Sequence, residues 1–390
     1  YFLSVSYRAD GNSRFSDNVR WGNFGSIGLG WRIDKESFMQ SISWINQLKL
    51  RGSYGSVGND NGIGLYPFRA LYDFANNSAE PGFLQSSVEN PELTWEKNTQ
   101  FDLGVDFALF SNRLSGSIEY FNRQSDNLLF QVPLPLSTGI SYIWQNVGTM
   151  YNRGVELQVS VDAVRQKDFN WNINFNWTTL KNEITKLPDG QDEIISGTKK
   201  LMVGHSIYDY WLRGWYGVDP ADGAGLYLAE TNDPSNSRVS EKGDIVTTAV
   251  NNGKYHYAGS AIPDFYGGIT NSFRYKAVEL SILLNYQVGG KIYDQTYATL
   301  MHDGTYGNAL SVDVLNRWQS PGQKTNVPRM DNAKVGQWDA QSDRWLTSAS
   351  FLNIRAVNLM YNLPAKFIAK ANAQSARVYL SAENLWLFSA

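Results

Sequence analysis

Residues 169–177, FNWNINFNW, alternate strictly between two kinds of side chain. Large apolar side chains stand at the odd positions, and asparagine stands at the even positions, Asn170, Asn172, Asn174 and Asn176. Successive side chains of a β-strand point to opposite faces, so this pattern predicts a strand with one apolar face and one polar face.

Two environments fit such a strand. In a soluble β-sandwich the aromatic face packs in the core and the asparagines meet water. In a transmembrane barrel the aromatic face meets lipid and the polar face lines a wet lumen. Aromatic residues at both ends of the segment, with Ile173 between them, are typical of the two girdles that bracket an apolar band roughly 25 Å tall. The segment alone leaves both environments open.

The same alternation, interrupted by turn residues, predicts about thirteen strands. They are 2–8, 25–33, 48–56, 99–109, 113–122, 154–163, 169–180, 209–218, 265–275, 278–288, 352–363 and 376–388, with 225–230 as the weakest. Patterns with the period of a helix are almost absent, so the predicted fold class is all-β.

The predicted connections alternate between short and long. The short ones are Ser111-Asn112, 164–168 and Lys276-Ala277, and the long ones are 57–98, 123–150, 181–207, 231–263 and 289–347. A sandwich has no reason to sort its loops in this way, whereas an outer-membrane barrel has short periplasmic turns and long extracellular loops at opposite rims. The connections therefore favour a transmembrane antiparallel β-barrel.

Composition is compatible with a barrel and excludes a polytopic helical membrane protein. The 390 residues are 42% hydrophobic with a mean hydropathy of −0.37, and no run of 18 apolar residues occurs, which excludes a polytopic helical protein. A barrel strand needs an apolar residue only at every second position, so it leaves the average hydropathy low. The net charge of −3 gives no basic footprint, and we predict no nucleic-acid partner.

The sequence offers little for catalysis or metal binding. It has no cysteine, and its three histidines, His205, His256 and His302, lie far apart, so thiolate chemistry is excluded and a zinc site is disfavoured. Asp102 and Asp106 share one strand face, as the carboxylates of a glycosidase could, but ordinary polar wall residues explain them better. We predict no enzyme activity, no catalytic residues, no metal site and no cofactor.

Specific stretches resemble one family of outer-membrane proteins. The opening YFLSVSYRADGNSRFSDNVRWGNFGSIGLGWRI resembles the strand, loop and strand found in mid-barrel in SusC/RagA-type TonB-dependent transporters of the Bacteroidetes. Further landmarks follow in the family's order: LKLRGSYGSVGN, NPELTWEKNTQFDLGVDF, QNVGTMYNRGVELQV, IPDFYGGITNSFRYKAVELSILLNYQVGGKIYD, DRWLTSASFLNIRAVNLMYNLP and ARVYLSAENLWLF. Together they span nearly the whole chain.

The resemblance implies a location in the cell outer membrane and TonB-dependent import of oligosaccharides or peptides. It also implies partners: a SusD-like surface lipoprotein, outer-membrane lipid, and TonB, contacted through an N-terminal region missing from this sequence. Residues 1–390 are then expected to be the C-terminal portion of a barrel, with about 13 of 22 strands. The plug domain, the first strands and the last strand are expected outside this sequence. A passive porin and a surface glycan-binding or glycan-hydrolysing β-protein remain alternatives.

In each predicted strand, the set of alternate positions that carries acidic and polar residues predicts which side chains face the lumen. A carboxylate facing lipid costs several kcal/mol near the midplane, so the parity that carries acidic residues must face inward. In 154–163, Gly154 allows a bend or a close approach, and apolar residues alternate with polar ones after it. The predicted lumen-facing residues are Asp102, Asp106, Glu119, Glu156, Gln158, Asn170, Asn172, Asn174, Asn176 and Glu279.

The long loops carry aromatic residues that could stack on a sugar ring or anchor a partner. The predicted ligand contacts are Tyr66, Phe68, Trp144, Tyr255, Trp318 and Trp338. Packing of the loops on one another is an equally open interpretation of each of them.

The chain departs from the family pattern at one point. The segment before IPDFYGG often carries an acidic, glycine-containing turn in the family, which suggests calcium. Here residues 247–257 read TTAVNNGKYHY and contain no carboxylate. Calcium needs several hard oxygen ligands, so we predict no calcium site in this segment.

Overall fold

The computed structural model describes residues 1–77, 80–188, 190–304, 306–331, 339–364, 368 and 373–389. Strands dominate it, which confirms the all-β prediction. They are β1 Phe2–Gly11, β2 Trp21–Arg32, β3 Ile45–Asn59, β4 Tyr72–Asn77, β5 Glu80–Gln85, β6 Glu96–Leu109, β7 Leu114–Asp126, β8 Leu129–Pro133, β9 Tyr142–Asn146, β10 Thr149–Arg165, β11 Phe169–Thr178, β12 Lys181–Lys186, β13 Glu193–Ser196, β14 Lys199–Met202, β15 Asp209–Arg213, β16 Trp215–Val218, β17 Gly225–Leu228, β18 Ser237–Val239, β19 Ile245–Thr247, β20 Tyr255–Ser260, β21 Phe265–Tyr275, β22 Val278–Val288, β23 Lys291–Tyr293, β24 Leu346–Ser348, β25 Phe351–Asn362 and β26 Arg377–Ser389.

Helices are short. The α-helix α1 spans Gln295–Leu300, and 3-10 turns lie at Ile33–Lys35, Ser37–Met39, Leu136–Thr138, Val250–Asn252, Val312–Asn316 and Asp343–Trp345. Among the helices that the structure describes, none has the length and apolarity needed to cross a bilayer.

Eleven strands form one antiparallel sheet, the main sheet, in the order β1-β2-β3-β6-β7-β10-β11-β21-β22-β25-β26, and β12 pairs with β10 beside this path. Each strand of the path pairs with the next one of the path along the chain, as in a meander. Two of the thirteen predicted strands lie elsewhere: 209–218 forms β15 and β16, and 225–230 contains β17, all in small four-stranded sheets. The reason is that β15 buries Tyr210 and Leu212 against a loop core.

The connections fall on two rims. One, the short-loop rim, carries 33–44, 110–113, 166–168, 276–277 and 363–376, and the other, the long-loop rim, carries 12–20, 60–95, 127–148, 179–264 and 289–350. The predicted alternation of short and long connections is therefore present after β3. The first two connections, 12–20 and 33–44, are of similar length.

Close packing occurs mainly in the long loops. Trp345 and Met301 centre one buried cluster, and Phe15 and Leu93 centre another. Both clusters lie among residues of the long-loop rim. Few side chains of the main sheet are buried to the same degree, Phe24 and Phe121 being examples. The sheet is therefore a wall with two accessible faces, and the loops above it are folded.

Gly154 marks the point at which β10 changes partner. Residues 149–153 of β10 pair with β12, and residues 156–165 pair with β11. Between these two stretches Thr179 folds against β10, and its Oγ1 accepts a hydrogen bond of 3.1 Å from the amide of Val155. A Cβ atom at position 154 would overlap the carbonyl oxygen of Thr179. The predicted close approach at Gly154 is thus present.

Candidate functional site

One face of the main sheet is apolar and exposed. Leu3, Leu29, Leu103 and Ile118 lie on it and are all exposed. Strand β11 contributes its odd residues, where Trp171 stacks on Phe273 with ring centroids 5.5 Å apart. A soluble monomer rarely exposes so wide an apolar surface, and such a face fits contact with lipid.

Asn271 is a polar exception on this face. It lies directly opposite Ile173 on one side and Ile282 on the other. Its Oδ1 accepts a hydrogen bond of 3.2 Å from Nε1 of Trp171. Because its carbonyl group has a partner, the amide costs less in an apolar environment than an unpaired one would.

All residues predicted to face the lumen lie on the opposite face, the polar face. They are Asp102, Asp106, Glu119, Glu156, Gln158, Asn170, Asn172, Asn174, Asn176 and Glu279. The register places Asp106 beside Ser117, and Gln158 beside both Ser117 and Asn176. These side chains therefore share one surface, and its orientation toward a lumen stays a prediction.

Arg51 organises the acidic part of the polar face. Its Nε donates to Oδ1 of Asp106 at 3.1 Å, and its Nη2 donates to Oε2 of Glu119 at 2.5 Å. The guanidinium crosses above Gly104, where an added Cβ would lie 2.9 Å from Cζ of Arg51. Asp102 accepts a separate hydrogen bond of 3.0 Å from the hydroxyl of Ser53. The arrangement holds the carboxylates in place and leaves Asp106 already paired with a cation.

Replacing Arg51 with methionine should destabilise the barrel by about 1–3 kcal/mol, because Asp106 and Glu119 lose a shared charged hydrogen-bond donor. Urea unfolding of the protein in lipid vesicles measures the effect. Arg113→Met is the control, since Arg113 is exposed in the turn between β6 and β7. Equal midpoints for both variants would show that the Arg51 bridge contributes nothing.

The asparagines of β11 use part of their hydrogen-bonding capacity within the sheet. Nδ2 of Asn172 donates to Oδ1 of Asp162 at 2.9 Å and to Oγ of Ser160 at 3.1 Å. Nδ2 of Asn174 donates to Oδ1 of Asn172 at 2.7 Å. The polar ladder is thus partly self-satisfied, and its remaining lone pairs and N–H groups are free for water or another polar surface.

Three of the predicted ligand contacts serve loop packing. Phe68 and Trp144 pack against the buried cluster around Phe15 and Leu93. Trp318 donates from Nε1 to the carbonyl of Pro220 at 3.0 Å. The alternative interpretation of these aromatics, packing of loop on loop, accounts for their positions.

The other predicted contacts are more accessible or lie outside the structure. Tyr66 is exposed, and the guanidinium of Arg69 lies 5.6 Å from its ring centre. Tyr255 is half-buried, and Arg213 lies 4.6 Å from its ring centre. Trp338 lies outside the described residues. Ligand contact by any of the six aromatics stays a prediction.

Tyr255 belongs to a larger aromatic row on the sheet of β13, β14, β15 and β20. Trp211 stacks on Tyr255 at 6.1 Å between ring centroids and meets Tyr257 edge to face at 4.9 Å. His205 stacks on Tyr257 at 3.7 Å. The alternation DYWLR in β15 signalled this two-faced strand, but Trp211 and His205 were not among the predicted contacts.

Cations accompany the aromatic row. Lys200 lies 4.3 Å from the ring centre of Trp211. Lys199 points to the other side, where its Nζ donates to the carbonyl of Tyr208 at 2.6 Å and lies 3.5 Å from the ring centre of Tyr210. Burial lowers the pKa of Lys199 to about 8. Lys200 is also ion-paired with Glu193, so the cation that the row presents is Arg213 beside Tyr255.

Acidic loop residues that could suggest a cation site are already paired. Arg238 bridges Asp219 and Asp222, with Nη2 lying 2.8 Å from Oδ2 of Asp222. The hydrogen bond from Arg238 lowers the pKa of Asp222. In the part of the chain that the structure describes, no three potential ligands among His, Cys, Asp and Glu come together. The predicted lack of a metal remains an expectation.

A family profile described as TonB dependent receptor-like, beta-barrel matches residues 1–244, more than half of the chain. The chain belongs to this β-barrel family. Members of the TonB-dependent receptor family are outer-membrane proteins, so the predicted location is confirmed. The relatives are receptors and transporters, which supports a non-enzymatic role at the level of the family.

Individual TonB-dependent receptors resemble this chain over its whole length. TonB-dependent receptor P3 of Formosa agariphila is 31% identical over all of this chain and 40% of its own length. TonB-dependent receptor SusC of Bacteroides thetaiotaomicron is 28% identical over all of this chain and 39% of its own length. The chain therefore spans about two fifths of the length of these relatives.

A solved structure of the RagAB peptide transporter superposes with a TM-score of 0.85 at 29% identity. The superposition covers 99% of this chain and 42% of the matched chain. A second RagAB structure, described as a peptide importer in a closed-closed state, gives the same TM-score at 28% identity. These matches confirm the resemblance to SusC/RagA-type transporters and show that the barrel is partial in this chain.

Proposed function

We propose that this TonB-dependent receptor barrel serves import of oligosaccharides or peptides across the outer membrane, energised through TonB and assisted by a SusD-like surface lipoprotein. The observation that carries the proposal is a two-faced wall of eleven strands with long, folded loops at one rim. A wall with one apolar and one polar face suits lipid on one side and a plugged lumen on the other.

In this proposal residues 1–390 form the C-terminal portion of the barrel, and a plug domain and further strands belong to the same transporter. The polar face lines the lumen, and the odd residues of β11 face lipid. The short-loop rim is periplasmic, and the long-loop rim is extracellular. The partly satisfied asparagine ladder of β11 offers amide groups to water or to the plug.

The long, folded loops of the long-loop rim and their aromatic row support binding of a surface partner and of polar cargo. RagAB is described as a peptide transporter, which supports peptide as one cargo class. The aromatic row offers its ring edges to sugars as well, while Lys200 and Arg213 lie over the faces of Trp211 and Tyr255. Both cargo classes therefore remain in the proposal.

A surface hydrolase is the weaker candidate. Asp106 is engaged by Arg51, and Asp102 by Ser53, so neither carboxylate resembles a free acid or base. A passive porin would share the two-faced wall, and it differs from the proposed transporter in needing no energy input.

Removing the loop between β23 and β24 should separate partner binding from barrel folding. These strands pair at Lys291↔Ser348 and Tyr293↔Leu346, so a short glycine-serine linker can replace residues 295–344 while the hairpin base stays intact. We expect the variant to fold but to lose its lipoprotein and most of its uptake. Affinity purification of the full-length transporter in mild detergent, with mass spectrometry of bound proteins and ligands, measures partner binding, and uptake of the identified ligand by cells carrying the variant measures import.

Heat-modifiable migration in gel electrophoresis is the control for folding of the loop variant. A wild-type transporter that purifies as a lone monomer with full uptake activity would contradict the proposed partner. A loop variant that keeps both partner and uptake would show that the partner binds elsewhere.

A further inference from the structure

The apolar face of the main sheet ends in a charged cluster at the long-loop rim of β10. Val155, Leu157 and Val159 lie on the apolar parity of this strand, and the next residues of the same parity toward the rim are Arg153 and Tyr151. The ladder between β7 and β10 is continuous from 149 to 161, without a register shift. Arg153 and Tyr151 are therefore on the same face as the apolar band.

Strand β12 extends this surface. Lys181 lies directly opposite Arg153, and Glu183 lies directly opposite Tyr151. We call these four residues, Arg153, Tyr151, Lys181 and Glu183, the boundary cluster. On the other face the same strands pair Asn152 with Asn182, so the charges at this level belong to the apolar side of the wall.

The contacts within the boundary cluster fix its geometry. The hydroxyl of Tyr151 donates to Oε2 of Glu183 at 2.6 Å, and Nζ of Lys181 lies 2.8 Å from the same oxygen. The guanidinium of Arg153 lies 4.4 Å from the ring centre of Tyr151. Glu183 thus orients Tyr151 through a hydrogen bond, and the guanidinium of Arg153 packs on the ring of Tyr151.

The cluster carries one uncompensated positive charge. Lys181 balances Glu183, whereas no carboxylate in the described part of the chain forms an ion pair with Arg153. Arg153 is exposed, and the side chain of Lys181 is 61% exposed. A ligand can therefore reach both cations from outside the wall.

The distance of Arg153 from the apolar band favours the headgroup of a membrane lipid as the ligand of the boundary cluster. Arg153 is two residues beyond Val155, about 7 Å along a strand, so in the proposed orientation it lies just past the apolar band, at the level of the polar headgroups. Arg and Lys at this depth extend their charged groups to the interface. Leu157 and Trp177 lie directly opposite each other on the same face. They would contact the acyl chains below the headgroup.

We infer that the boundary cluster binds the phosphate headgroup of an outer-leaflet membrane lipid. Arg153 offers a planar pair of donors to two phosphate oxygens, and Lys181 supplies a second, point-like charge. The inference rests on the proposed orientation, in which the odd parity of β10 faces lipid. It goes beyond import because the ligand is a component of the membrane rather than cargo.

Lipid binding by the full-length transporter tests the inference. The protein is titrated in a neutral detergent with phosphatidylglycerol or with phosphatidylcholine, and bound lipid is counted by native mass spectrometry. Arg153→Gln should weaken phosphatidylglycerol binding about fivefold, the usual contribution of one cation near an anionic membrane surface. The double variant Arg153→Gln with Lys181→Gln should weaken it roughly 30-fold.

Arg123→Gln is the matched control. Arg123 is exposed in β7 and lies opposite Asn152 on the polar face, so it has the same charge at a nearby level on the other side of the wall. We expect its lipid binding to equal that of the wild type. Equal losses for Arg153→Gln and Arg123→Gln, or equal binding of both lipids, would overturn the inference.

Competition by phosphate and substitution at Ile173 show which part of the inference is wrong if lipid binding does not behave as expected. Inorganic phosphate that competes fully at millimolar concentration would show a general anion site and overturn the lipid assignment. Arg153→Gln leaves the pair of Lys181 and Glu183 intact, so it keeps the test available if the double variant does not fold. The orientation of the wall is tested separately at Ile173, and a failure there is distinguishable from a failure at Arg153.

Discussion

Replacing Ile173 with arginine should impair barrel assembly far more than replacing Asn174 with arginine. Ile173 lies on the apolar face opposite Val161, and Asn174 lies on the polar face opposite Ser160. A cation facing lipid near the midplane costs about 2–4 kcal/mol, whereas a cation in a wet lumen keeps its hydration.

The free energy of unfolding of each full-length variant in lipid vesicles, measured by urea titration, gives the comparison. The two substitutions introduce the same side chain at adjacent positions, so each is the other's control. Equal losses at both positions would contradict the assignment of faces. Spin labels at 173 and 174 provide a second readout, and a polar environment at 173 with an apolar one at 174 would reverse the assignment.

Substitution of Gly154 by alanine should destabilise the barrel by about 1–3 kcal/mol, the usual cost of forcing an extra methyl group into a packed site. The new Cβ would overlap the carbonyl oxygen of Thr179 and lie 2.8 Å from Cζ of Phe121. Relief requires movement of the backbone at the point where β10 passes from β12 to β11. The same urea titration measures the effect.

Gly52→Ala is the matched control for Gly154→Ala. A Cβ at position 52 would lie 3.6 Å from the carbonyl oxygen of Asp102 and 3.8 Å from Cδ1 of Leu103, which are ordinary contact distances. Alanine should be neutral or stabilising there, because glycine in a strand loses more conformational entropy. A Gly154→Ala protein as stable as Gly52→Ala would show that Thr179 moves away without cost.

Much of the wall could be predicted from the sequence because a period of two is a local signal. The alternation in 169–177 defined both faces of β11, and carboxylates such as Glu119 and Glu156 marked the polar face of their strands. The same signal misplaced 209–218 and 225–230, since strands of a small loop sheet also alternate. Alternation alone does not report which sheet a strand joins.

The contacts that organise the site depend on register and were not predictable in the same way. Arg51 reaches Glu119 across β6, and this is visible only when the pairing of three strands is known. The long loops have no period, so Phe68 and Trp318 could not be told apart from exposed aromatics before the loops were folded.

Dependence of uptake on energy tests the proposed function most directly. The cargo is the ligand identified in the purified complex, supplied in labelled form to cells that carry this transporter as their sole route for it. We predict that a protonophore stops import while cargo still binds at the cell surface, because the proposed transport draws its energy through TonB. Import that continues unchanged after the proton gradient is dissipated would contradict a TonB-dependent transporter and favour a passive porin.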